Sequence, residues 1–126
     1  MLKLSTRSKR IILAVPVFFI PAVFHALALK WPQISVPETP LQHGAFVLIN
    51  LWFCVALVAM LPNWLLESTL AALTVHQFVV HGQMLVIAAI NKTFDFQSAS
   101  ALIGMVVAWG YLVYERAEVK SELGKS

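Results

Sequence analysis

Charge is scarce in this chain of 126 residues: only 12% are Asp, Glu, Lys or Arg, where a soluble domain carries roughly 25%. So few charges cannot cover a water-facing surface. Cysteine is almost absent too. Cys54 stands alone inside an apolar run, which excludes a disulfide framework or a thiolate metal site built within one chain. No P-loop, dinucleotide fingerprint, H-E-x-x-H, paired-carboxylate pattern or G-x-S-x-G turn occurs, so soluble-type catalysis has no residue set to run on. Carboxylates are missing from the apolar runs of the first, second and fourth helices inferred below, and Glu67 falls in a first turn at the membrane edge. A proton-coupled carrier therefore lacks its buried acid. Small multidrug-resistance exporters are of similar size but carry a glutamate in the first helix that this chain lacks.

What remains is apolar. Hydrophobic residues make up 60% of the chain and mean hydropathy is +0.80, as expected where lipid is the solvent. The net charge of +3 sits at the ends of apolar runs, not in a basic stripe interleaved with aromatics, so no nucleic-acid partner is expected. It reads as topogenic charge and as attraction to anionic lipid headgroups.

Four apolar stretches, 11–29, 40–61, 64–90 and 96–114, predict an all-α integral membrane four-helix bundle forming a single domain, with a charged tail over 115–126. Ala26-Leu27-Ala28 would offer a signal-peptidase site, but the preceding apolar run exceeds the roughly 7–15 residues of a signal-peptide core, so a retained helix is expected. Pro16 and Pro21 predict a kink in that helix. Thr39, Pro40 and Gln42 form a capping box that starts the second helix, and Asn63 is the expected N-cap of the third.

Lys3, Arg7, Lys9 and Arg10 precede the first helix, while Arg116, Lys120 and Lys125 follow the fourth. Only Lys30 and Lys92 fall in the loops on the other side. The positive-inside rule then places both termini in the cytoplasm. A short chain with so plain a charge pattern is expected in a bacterial inner membrane.

The third helix carries polar residues on two faces. Glu67, Thr74 and His81 recur at seven-residue steps with Gln77 beside them, and Thr69, His76 and Gln83 form a second such set nearly opposite, at about 100° per residue. Neither set should face lipid, so the helix is expected either to lie centrally within the monomer or, the favoured reading, to turn one stripe to another subunit. On the second helix His43, Asn50 and Cys54 share a face expected to meet one of these stripes, with Asn50 making an interhelical hydrogen bond. On the fourth, Ser100, Gly104 and Ala108 form a small-residue row suited to close helix approach.

His25, His43 and His81 fall toward the outer side in this topology, with His76 near mid-depth and Glu38 and Asp95 in flanking loops. Histidine ligates metals and haem, so these four are the candidate cofactor residues. Against that stands their ordinary use in interhelical hydrogen bonds, and His76 and His81, five apart, point to different faces.

The expected function is an accessory or scaffolding subunit that binds other membrane proteins, or a second copy of itself, through its third and fourth helices. The alternatives are a haem-, pigment- or metal-carrying module, and a lipid- or quinone-binding protein or enzyme.

Overall fold

The computed structural model describes residues 4–32 and 39–124. Lys3, Glu38 and Lys125, used above for topology and for the outer side, lie outside the described residues. All regular structure among the described residues is helical, and four helices are long and apolar enough to cross a membrane: α1 (Thr6–Lys30), α2 (Pro40–Val58), α3 (Asn63–Ile90) and α4 (Phe96–Leu123). They divide into two compact units, with the boundary between Leu61 and Pro62. The first unit holds the α1–α2 hairpin and the second the α3–α4 hairpin.

In the first unit α1 begins at Thr6, earlier than hydropathy predicts. Ser5 is its N-cap, accepting from the Ser8 amide at 3.1 Å, and Arg7, Lys9 and Arg10 lie inside the helix. Arg10 is only 2% exposed because its guanidinium turns inward to donate to the Leu61 carbonyl at 2.8 Å. The proline pair is accommodated by a π-helical turn over Val15–Phe19. Pro21 has no N–H to offer Val17, and widening the turn lets the Ile20 amide reach Val15 instead. α2 braces this irregular segment, with Phe18 stacked on Phe53 at 4.6 Å between ring centroids and the Cys54 thiol 3.8 Å from the Ala14 carbonyl.

The Thr39–Gln42 capping box starts α2 at Pro40, as the sequence indicates. Its end differs from the expected 61. The last helical residue is Val58, because Met60 turns left-handed at φ 60 and lets the Leu61 amide reach back to Ala56 at 3.0 Å. Pro62, with no donor to continue the helix, then serves as N-cap of α3 in place of the expected Asn63. α3 ends by the same device, with Lys92 at φ 54 and the Thr93 amide bonded to Ala88 at 2.8 Å.

The charged tail after residue 114 extends α4 as helix as far as Leu123. Glu, Arg, Ala and Lys dominate it and are strong helix formers, and no proline or glycine intervenes before Gly124. At roughly 1.5 Å per residue, the 28 residues of α3 and the 28 of α4 each span about 42 Å, more than a ~30 Å hydrocarbon core. Leu48, Val55, Val75, Val86, Ile103 and Val113 are exposed along the helices.

Left-handed geometry at a side-chain-bearing residue costs about 1–2 kcal/mol, and β-branching adds to that cost. Lys92→Val is expected to lower the midpoint of thermal unfolding, followed by circular dichroism in detergent, whereas Lys92→Gly maintains or raises it.

Candidate functional site

The four candidate histidines divide between the two units. In the first, His25 near the end of α1 and His43 in the first turn of α2 are both buried, and their Nδ1 atoms lie 2.9 Å apart. The capping box sets the start of α2 and with it the height of His43. Phe46, one turn further on, stacks on the His25 ring at 4.9 Å between centroids, and Phe24 meets His25 edge-on.

The separation of the nitrogens decides what the pair is doing. Two imidazoles on one tetrahedral metal, each nitrogen at ~2.0–2.1 Å, would hold their nitrogens roughly 3.3 Å apart. At 2.9 Å the pair is hydrogen-bonded, one ring donating Nδ1–H and the other accepting at Nδ1. Among the described residues no group of three or more His, Cys, Asp or Glu side chains is placed to hold a metal ion.

Of the polar face expected on the second helix, His43 and Cys54 make their contacts with α1. Asn50 is buried, and its amide donates to the Phe46 carbonyl of its own helix at 2.8 Å, where an interhelical bond was expected.

In the second unit the Glu67, Thr74, His81 stripe of α3 faces α4, rung by rung in antiparallel order. Glu67 pairs with Arg116. Thr74 accepts from the Trp109 indole at 2.9 Å while donating to Leu70 of its own helix at 2.7 Å, and Gln77 is buried between these rungs. His81 reaches Ser98, with Nδ1 3.0 Å from Oγ. An open cleft of about 500 Å³ at the charged end of this hairpin is lined by Asn63, Glu115, Arg116, Val119 and Lys120.

Asp95 is the N-cap of α4 and accepts the Ser98 amide at 3.0 Å and the Ser98 hydroxyl at 2.6 Å. An ionised carboxylate only accepts, so the serine proton points to Asp95 and its oxygen must accept Nδ1–H from His81. That chain places a proton on Nδ1 of His81. Partial burial by itself would raise the Asp95 pKa. The Ser98 hydroxyl and amide, the nearby His81 ring and the Gln97 amide outweigh it and hold the carboxyl below its ordinary 3.8.

The second stripe of α3 behaves differently. His76 and Gln83 are exposed, and Thr69 is half-buried with its hydroxyl donated to Leu65 at 2.8 Å. On α4 the small-residue row is split, with Ser100 exposed, Gly104 half-buried and Ala108 buried. The side of α4 that meets α3 is carried by Ser98, Met105, Trp109 and Arg116.

Arg10, Asp95, Ser98, Trp109 and Arg116 were not singled out from the sequence as partners of these polar groups. Two signals for them were present. Asp95 and Ser98 stand at N-cap and N3 spacing, and an indole N–H in an apolar helix needs an acceptor. No protein-family profile, curated protein or solved structure matches the chain.

Removing one member of a buried hydrogen-bonded pair leaves the other unsatisfied, at about 1–3 kcal/mol. His25→Phe or His43→Phe alone should therefore destabilise more than half as much as the double substitution, a coupling that a double-mutant cycle of unfolding midpoints would reveal. A second expectation concerns pH. Because the folded Asp95 pKa lies below the ordinary value of 3.8, its contribution is fully present above that value and is lost as pH falls through the folded pKa. Acid unfolding curves of the protein and of Asp95→Asn should converge below pH ~4 and separate above it.

Proposed function

We propose that this protein is an integral membrane protein, acting as an accessory or scaffolding subunit that binds other membrane proteins through intramembrane helix packing. The observation that carries this reading is the second polar stripe of α3. The first stripe is occupied by α4 through Glu67–Arg116, Thr74–Trp109 and His81–Ser98, whereas His76 and Gln83 are exposed on the other side of the helix. An amide facing hydrocarbon is costly, so Gln83 belongs against protein. The same stripe places small or aliphatic residues beside the polar ones, at Ala72 and Val79, as a close helix contact needs.

In this reading both termini are cytoplasmic. Arg7, Lys9, Arg116 and Lys120 then stand at the inner surface, Lys30 and Lys92 at the outer one, and the membrane is the bacterial inner membrane.

The test is photocrosslinking in native membranes, with a benzophenone amino acid placed singly at Gln83 or at Ile103, an exposed apolar position on α4. Gln83 should give a discrete protein adduct and Ile103 mainly lipid. Replacing Thr69, His76 and Gln83 together by leucine should abolish recovery of the adduct partner from mild detergent without lowering the unfolding midpoint. Lipid adducts alone at Gln83 would remove the basis for a partner-binding subunit.

A further inference from the structure

Most hydroxyls in these helices are turned back onto their own backbone. Ser68 donates to Trp64, Thr69 to Leu65, Thr74 to Leu70 and Ser100 to Gln97, the ordinary way a serine or threonine is satisfied inside an apolar helix. Ser98 departs from this. Fully buried, it spends its proton on the Asp95 carboxylate at 2.6 Å and presents its oxygen to His81 at 3.0 Å. An acid at the helix terminus, a hydroxyl and a buried base thus form a continuous hydrogen-bonded line across the two helices of one hairpin.

We infer that Asp95, Ser98 and His81 form a proton-uptake site, in which a proton taken from water by the Asp95 carboxylate is relayed through the Ser98 hydroxyl to Nδ1 of His81. The relay starts with Asp95 as the neutral acid and His81 carrying its proton on Nε2. The acid O–H bond breaks as its proton passes to Ser98 Oγ, the serine O–H bond breaks as its proton passes to Nδ1, and the hydroxyl is regenerated. The products are an Asp95 carboxylate and a His81 imidazolium, so one proton has been taken from water and no other reactant is consumed. The hydrogen-bond directions in the structure, with carboxylate accepting and Ser98 donating to it, are those of the state after transfer. Water reaches the line at its Asp95 end, since Asp95 precedes the first residue of α4 and its side chain is only partly buried, whereas His81 is 2% exposed. The charged or titratable groups acting on His81 from this hairpin are Asp95 of the α4 cap and His76 of α3. Lys92 stands in the turn that joins the two helices.

The site differs from the buried glutamate whose absence argued against a proton-coupled carrier. Here the buried titrating group is an imidazole, and the carboxylate stays at the aqueous edge, where it remains charged without the cost of burial in hydrocarbon.

The experiment uses the full-length protein with 15N-labelled histidine in lipid nanodiscs, the His81 signals being assigned by their loss in His81→Gln. Acidification should convert His81 to imidazolium, and Asp95→Asn, which keeps a good N-cap, should move that conversion to lower pH. Ser98→Ala should slow exchange of the Nδ1 proton with water by roughly tenfold or more, as loss of a positioned proton donor does, and Ser98→Thr should restore it. A His81 that stays neutral throughout, or that exchanges at the same rate without the Ser98 hydroxyl, would overturn the assignment. If Ser98→Ala does not fold, an unchanged conversion in Asp95→Asn overturns it equally.

Discussion

Moving an imidazole or an amide from water into hydrocarbon without a partner costs about 4–8 kcal/mol, comparable with the whole stability of many domains. The polar side chains of this protein are disposed around that cost. In each hairpin polar groups of the two helices meet one another, as His25 with His43 and His81 with Ser98 do. Further contacts of charged groups lie toward the other end of each hairpin, Arg10 on the Leu61 carbonyl and Glu67 with Arg116. Aliphatic side chains both fill the core, as Leu57, Leu66 and Leu112 do, and cover the outer surface.

The two hairpins meet the same need by different chemistry. In the first, two identical side chains form the buried bond, so donor and acceptor roles can exchange between His25 and His43. In the second, the ionised Asp95 imposes a direction on the whole line through Ser98 to His81. One pair is symmetric and the other polar, and the polar one connects a buried base to the partly buried Asp95.

Helix number, approximate spans and the Pro40 start of α2 were legible in the sequence, because they follow from apolar run length and from local capping chemistry. The duality of α3 was legible as well, since heptad spacing places residues on faces regardless of what packs there. Contacts across helices were not. Arg10 reads as a topogenic charge until the turn after α2 supplies the Leu61 carbonyl, and Ser98 reads as a helix-start residue until His81 arrives from α3. The helix ends that were misplaced are those set by a non-glycine residue in left-handed geometry, Met60 ending α2, and by the charged segment before residue 11 that begins α1. Hydropathy is blind to both.

The π turn in α1 works as a phase adjuster. A wide turn accommodates about one more residue than an α turn for nearly the same advance along the axis, and each residue contributes about 100° of rotation. Everything C-terminal to Phe19 is therefore rotated relative to Arg10 and Leu13. A chain shortened by one residue inside that turn could close it into regular α-helix with Arg10 and His25 at nearly the same angle to one another, whereas closing the turn at its present length would swing them apart by about 100°. The two ends of α1 are coupled by angle even though they share no contact.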